Sequence, residues 1–267
     1  MNILSQIIET KKAEVAAKKI TISVSYLEQA PLFGKKILSV TDFFNDPGRT
    51  GIIAEFKRKS PSKGIINDIA KVEEVTEAYA LHGASAVSIL TDENYFGGSL
   101  DDLRNASDIN VPRLRKDFVV DEYQVIESKA AGADIILLIA ACLTIDEVRM
   151  LSKFAKKFGL NVLLEVHDEN EIGYITEDID LVGVNNRNLK TFTVDINTSL
   201  ALSEKIPDGV LKVSESGIDD PADISMLRNA GFEGFLIGEK FMKSADPGNA
   251  FREFAKALKP QAQTNEN

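Results

Sequence analysis

Residues 52–64, Ile-Ile-Ala-Glu-Phe-Lys-Arg-Lys-Ser-Pro-Ser-Lys-Gly, join an apolar strand to acidic, basic and hydroxyl groups. Side chains alternate along a strand, so Ile53, Glu55 and Lys57 share one face. A carboxylate and an ammonium leaving an apolar strand together form either a rim salt bridge, worth roughly 0–1 kcal/mol, or part of a working site. The loop that follows favours the second reading. Lys57, Arg58, Lys59 and Lys63 supply cations, and Ser60 and Ser62 supply hydroxyl donors, a set suited to holding an anion. The same alternation sends Arg58 to the face opposite Lys57, so Arg58 and Lys59 are expected to provide only a supporting field.

Comparable groups recur where other short apolar runs end. Lys116 lies near the end of 113–118, with Leu114 and Phe118 on its face, and Glu165 lies near the end of 162–166 on the face of Leu163. Asn185 and Arg187 follow 181–184, Glu215 and Ser216 follow 211–214 ahead of Gly217, and Gly238 and Glu239 follow 234–237. Gathered in one concave site, two lysines, three glutamates and an arginine shift one another's pKa values toward a range useful for proton transfer. The turns bearing Gly217 and Gly238 leave backbone N–H groups free to face a phosphate. His167 reads as a rim or supporting neighbour of Glu165 more than a direct participant. Residues 94–99, Asn-Tyr-Phe-Gly-Gly-Ser, are either a lid over an aromatic ring or a loop packing its own aromatics. Asp92 and Glu93 read as solvated loop charges, Asp121 and Glu122 as helix N-terminal acids, and His82 as a helix cap.

Groups scattered over 190 residues converge only if a regular framework positions them. After Gly51 the chain repeats a short apolar run, a polar loop and an amphipathic helix, the pattern of parallel strands joined by crossover helices. Strands are expected at 51–56, 86–90, 113–118, 135–140, 162–166, 181–184, 211–214 and 234–237. Helices are centred near Val75, Leu103, Ile126, Val148, Ile172, Leu200, Ile224 and Phe254. Eight such units in about 250 residues suit a (β/α)8 TIM barrel, whose functional groups gather at the C-terminal ends of the strands. An open doubly wound sheet would carry a glycine-rich turn after its first strand, where this chain is lysine-rich. A helix is expected over 2–19, with shorter helical turns near 23–30 and 41–45. The organisation expected is one barrel domain, 1–259, with a helical extension at 1–48 and a disordered tail at 260–267.

The 267 residues carry a formal net charge of −10, which argues against nucleic acid as a partner and requires local cations wherever an anion binds. One cysteine, Cys142, and two histidines leave no disulfide framework or multi-thiolate metal site, and Cys142 reads as core. No apolar run approaches the ~20 residues of a membrane span, so a cytoplasmic protein is expected. In the absence of an exposed apolar stripe, a monomer is the default.

Five motifs then stand out in order: Ala54-Glu55-Phe56-Lys57-Arg58-Lys59-Ser60-Pro61-Ser62, Leu114-Arg115-Lys116-Asp117-Phe118, Glu165-Val166-His167, Asn185-Asn186-Arg187-Asn188-Leu189 and Glu215-Ser216-Gly217-Ile218. Together they resemble the indole-3-glycerol-phosphate synthases. The resemblance implies cofactor-free and metal-free conversion of 1-(2-carboxyphenylamino)-1-deoxyribulose 5-phosphate to indole-3-glycerol phosphate, CO2 and water. It implies Lys116 as the general acid of ring closure and Glu165, with Glu55 nearby, in the later dehydration. Lys57 would pair with substrate anions, Asn185, Arg187 and Ser60 would place the anthranilate carboxylate, and Glu215 would order the charges. Ser216, Gly217, Gly238 and Glu239 would lie in the phosphate region, with Phe118 and Leu137 beside the ring. Two other readings fit the residue types: a barrel aldolase forming a Schiff base on Lys57 or Lys116, and a phosphate-binding barrel without catalysis.

Overall fold

The computed structural model describes residues 3–189 and 191–258; the tail expected at 260–267 lies outside them. Eight parallel strands close into a barrel: β1 Ile52–Phe56, β2 Ala86–Leu90, β3 Arg113–Lys116, β4 Ile135–Ile139, β5 Asn161–Val166, β6 Leu181–Asn185, β7 Leu211–Glu215 and β8 Gly234–Ile237. Neighbours in sequence are neighbours in the sheet, and β1 closes the ring against β8. One set of alternate side chains, including Ile53, Leu114, Leu137, Leu163, Leu181 and Val213, packs in the lumen. The other set, including Ile52, Ala54, Val87, Ile136 and Leu138, packs beneath the helices. Each fully buried Leu or Ile contributes roughly 1.5–3 kcal/mol. A one-residue slip would exchange the two faces, so burial fixes the register.

The crossover helices follow the expected beat with one exception. Near Ile172 there is only a 3-10 helix, Glu169–Tyr174. Gly173 weakens a helix there, and Glu177, Asp178 and Asp180 would stand at the negative end of its dipole. The loop after β1 also differs from expectation, since Lys59–Ser60 pairs antiparallel with Gly64–Ile65 in a small hairpin. His82 caps the helix Val72–Leu81, as expected.

Before the barrel come helices Ile3–Thr21, Val24–Glu28 and Val40–Phe44. The first crosses the barrel mouth, and its buried face carries Ile7, Lys11 and Val15 at i, i+4 and i+8. Lys11 is only 5% exposed. Its Nζ lies 2.8 Å from Asp92 Oδ2, 3.0 Å from Asp117 Oδ1 and 3.0 Å from Glu14 Oε2. Asp92 is therefore not the solvated charge expected from sequence: it is 1% exposed, caps the turn Glu93–Phe96 through the Tyr95 amide at 2.7 Å, and receives the lysine. Further contacts, Thr10 Oγ1 to Tyr95 Oη at 3.0 Å and Lys18 to Glu127 at 2.9 Å, fasten the same helix to the barrel.

Behind this latch lies a buried charge network. The Arg115 guanidinium donates to Asp117 at 3.0 Å, Glu127 at 2.8 Å, Ser128 at 3.1 Å, the Gln124 carbonyl at 3.1 Å and Thr91 at 3.2 Å. Burial pushes the Asp117 carboxyl up, but Arg115 and Lys11 outweigh it and bring it down to about 2. A depressed carboxyl contributes stability that is complete above its unfolded value near 3.8 and is lost as pH falls through its folded value. Asp117→Asn is thus expected to remove roughly 2 kcal/mol of stability at neutral pH and to flatten the acid limb of the unfolding curve between about pH 4 and 2. Urea denaturation across that range measures it.

Candidate active site

The C-terminal ends of the strands surround a cavity lined by Glu55, Lys57, Ser60, Lys116, Phe118, Leu137, Glu165, Asn185, Arg187, Glu215, Ser216 and Glu239. Among the residues anticipated from sequence, all but Gly217 and Gly238 line this cavity. Those two line an adjoining pocket together with Lys63, Lys240 and Ser216. The strand register explains the convergence. Glu165 stands opposite Gly183, Asn185 opposite Glu215, and Leu90 opposite Lys116, so the polar groups occupy the last layers above an apolar lumen.

Two ion-pair centres result. Lys57 Nζ is 2.6 Å from Glu55 Oε1, while Lys116 Nζ sits 2.6 Å from Glu165 Oε2 and 3.3 Å from Glu215 Oε2. Asn185 donates to the other Glu165 oxygen at 3.0 Å. His167 Nε2 also lies 3.3 Å from that oxygen, within ion-pair reach but without hydrogen-bond alignment. Burial pulls the Lys116 ammonium down, but Glu165, Glu215 and Glu55 outweigh it and hold it above the ordinary lysine range. Burial likewise pushes Glu165 up, and Lys116 with His167 reverses this, keeping it well below the usual carboxylate range. Glu215 goes the other way. Burial and the nearby Glu165 and Glu55 exceed the pull of Lys116 and push its carboxyl up to about 7. One cavity therefore holds a charged acid, a permanent carboxylate and a carboxyl that titrates near neutrality, the components of stepwise proton transfer.

Two glycines make room for these carboxylates. A Cβ on Gly183 would stand 2.0 Å from Glu215 Oε1, and one on Gly238 would stand 2.6 Å from Glu55 Oε1. Gly183→Ala is expected to leave the barrel folded while displacing Glu215, lowering kcat by up to about 10²-fold, the usual effect of an ångström-scale misplacement. Circular dichroism and steady-state rates together check it. At the end of β7, Ser216 has φ 68° and Gly217 φ 78°. A left-handed serine costs of order 1–3 kcal/mol, and Asn186 holds it by donating to its carbonyl at 3.0 Å. Lys63 and Lys240 line the pocket beside this turn. Glu239 is held by Arg187 at 3.7 Å and Lys63 at 3.6 Å.

Arg58 points away from the site, as its strand position requires, and forks onto Asp102 at 2.7 and 2.9 Å. Lys59 donates to the Asn94 carbonyl at 2.9 Å. The 94–99 loop packs its aromatic residues onto the barrel, with Phe96 and Phe118 ring centres 6.2 Å apart. Cys142, expected in the core, is half-buried and borders a second cleft.

Sequence reasoning missed the apolar roof. Ile3, Leu4 and Ile7 of the N-terminal helix, with Leu189 and Phe192, line the cavity beside Phe96 of the anticipated 94–99 loop. The one available signal was Lys11 placed within an apolar helical stripe.

A (β/α)8 barrel whose mouth gathers buried acid–base pairs has the arrangement of an enzyme of proton-transfer chemistry. The family model described as indole-3-glycerol phosphate synthase matches residues 4–254. The chain is 47% identical over 264 residues to the indole-3-glycerol phosphate synthase of Bacteroides thetaiotaomicron, covering 96% of this chain and 99% of that one. It is 42% identical over 256 residues to that of Chromobacterium violaceum, covering 93% and 96%. The protein belongs to the indole-3-glycerol phosphate synthase family. Among solved structures, 3-hexulose-6-phosphate synthase superposes with a TM-score of 0.61 at 17% identity, over 78% of this chain and 99% of that one, a likeness of fold alone.

Proposed function

We propose that the chain closes the indole ring of 1-(2-carboxyphenylamino)-1-deoxyribulose 5-phosphate, releasing CO2 and water and yielding indole-3-glycerol phosphate. The observation that carries this reading is the Lys116 ammonium held between Glu165 and Glu215 under an apolar roof. Lys116 protonates the ribulose carbonyl as the carboxylate-bearing ring carbon attacks it. The C–CO2 bond then breaks and its electrons restore the aromatic ring. Expulsion of the hydroxyl as water needs a second acid, and the final C–H proton needs a base. Glu165, with Glu55 near, serves this dehydration, and Glu215, with its carboxyl near 7, orders the charges and can hold the proton between steps. Lys57 meets the substrate anions, while Ser60, Asn185 and Arg187 place the anthranilate carboxylate. Phe118 and Leu137 flank the ring. Ser216, Gly217, Gly238 and Glu239 shape the phosphate end, where the cations are Lys63 and Lys240.

Among the described residues no helix is long and apolar enough to cross a membrane. We read the chain as a cytoplasmic, single-barrel monomer with 1–48 as its helical extension. The test is product analysis by NMR after incubation with the carboxyphenylamino-ribulose phosphate. One CO2 per indole-3-glycerol phosphate is expected; borohydride trapping of substrate on Lys57 or Lys116 would instead establish Schiff-base chemistry.

A further inference from the structure

The ring closure has a proton balance that the reaction cavity does not meet by itself. The carbonyl oxygen leaves as water and so takes up two protons, one at ring closure and one at dehydration. Only one proton returns, from the carbon that becomes C2 of the indole. The carboxylate departs as CO2 and returns none. Each turnover therefore draws one proton from solvent, and Lys116, after giving its own, must be recharged at a position where its side chain is only 14% exposed.

A second cleft of about 810 Å³ opens on the other side of Glu165, ample for water at roughly 30 Å³ per molecule. His167, Glu171 and Cys142 line it, and Glu9 and Lys12 of the N-terminal helix face it. Glu165 lines the reaction cavity and His167 the cleft, while Leu4, Asn185, Arg187 and Leu189 line both, so the imidazole approaches Glu165 from the cleft side of a shared rim. Its Nε2 is buried, has no hydrogen-bond partner and lies 3.3 Å from Glu165 Oε1. Its Nδ1 lies 3.3 Å from Glu171 Oε2, which also accepts from the His167 backbone amide at 2.6 Å. The other Glu165 oxygen is the one 2.6 Å from Lys116.

We propose that His167 is the proton-entry residue of this enzyme, passing a proton from the water of the second cleft through Glu165 to Lys116 after each ring closure. The inference rests on the reading of Lys116 as the acid. The steps balance. The Nε2 proton moves to Glu165 Oε1; the carboxyl rotates and delivers it to the neutral Lys116 amine; the bare imidazole turns to the cleft, takes up a proton from water and turns back. Burial pulls His167 down, but Glu165 and Glu171 outweigh it and raise it to about 10, so the free enzyme stores the proton on the ring. Besides these two carboxylates, Glu9, Lys12, Asp168, Arg187 and Cys142 line the cleft with the imidazole, Lys116 stands across Glu165, and burial and Glu165 push the Cys142 thiol up.

His167→Gln separates recharging from chemistry. With enzyme in excess over the carboxyphenylamino-ribulose phosphate, CO2 release in the first turnover follows ring closure and needs only the proton already on Lys116, so it is expected to run at the wild-type rate. Under multiple turnover kcat is expected to fall by about 10²-fold in dilute buffer, with KM unchanged, and to recover as imidazole is added. A kcat equal to that of wild type, equal losses in single and multiple turnover, or a loss insensitive to imidazole would each overturn the proposal. Inactivity of the wild type would instead remove the underlying reading, which keeps the two failures apart.

Discussion

Lys116→Met is expected to lower kcat by about 10²- to 10⁴-fold, the range spanned by a single general acid, while changing KM only a few-fold. Methionine keeps the length of the side chain and removes its proton. In the proposed role the loss falls on kcat, because an acid meeting the carbonyl oxygen as negative charge develops there interacts more strongly in the transition state than with bound substrate. A second consequence is electrostatic. Without Nζ, Glu165 loses a partner at 2.6 Å and Glu215 one at 3.3 Å, and two carboxylates in a buried site cannot both stay ionised. Glu215, already raised to about 7, should therefore hold its proton to higher pH in the variant, visible as a stronger carboxyl band by infrared difference spectroscopy. Lys116→Arg is expected not to restore the rate, since a guanidinium keeps its proton at any working pH. Steady-state kinetics of both variants, with melting curves as a control for folding, check these outcomes.

Lys11→Met should have the largest effect on stability. The ammonium is buried against Asp92, Asp117 and Glu14, and two of those carboxylates are themselves almost fully buried. Breaking such a cluster by removing one member costs about 3–5 kcal/mol, because the remaining charges stay buried without their counter-ion. Asp117 keeps Arg115, whereas the outer oxygen of Asp92 keeps no ion-pair partner. The expected result is a urea midpoint lowered at constant slope. The same lysine pins the helix that carries Ile3, Leu4 and Ile7 over the cavity, so KM should rise in the variant while kcat falls less. A KM unchanged by Lys11→Met would separate the latch from substrate binding.

The barrel itself was legible because most strands, such as Ile135–Ile139, read as short apolar runs buried on both faces, and glycines such as Gly83, Gly132 and Gly231 end the helices before the next strand. Most of the site was legible for a related reason: strand parity places Glu55 with Lys57, and strand ends must share one rim of the barrel. What stayed hidden depended on partners distant in the chain. Asp92 looks solvated until Lys11, 81 positions earlier, is brought against it by the N-terminal helix. Gly183 looks like an ordinary strand residue until the carboxylate of Glu215 is seen to fill its missing side chain. The helix expected near Ile172 failed locally, where Gly173 and three following acids shortened it to a 3-10 turn. His167 was placed beside Glu165 by spacing alone, but its place on a second cleft beside Glu171 needed the three-dimensional path of 167–171.

The chain contains no tryptophan, so indole formed by turnover emits against a tyrosine background. Wild-type protein incubated with 1-(2-carboxyphenylamino)-1-deoxyribulose 5-phosphate should show a saturable rise of indole emission that is absent from Lys116→Met at the same concentration. No emission from folded wild type with the substrate intact, or an equal rise in both proteins, would contradict the assignment of ring closure to the Lys116 centre.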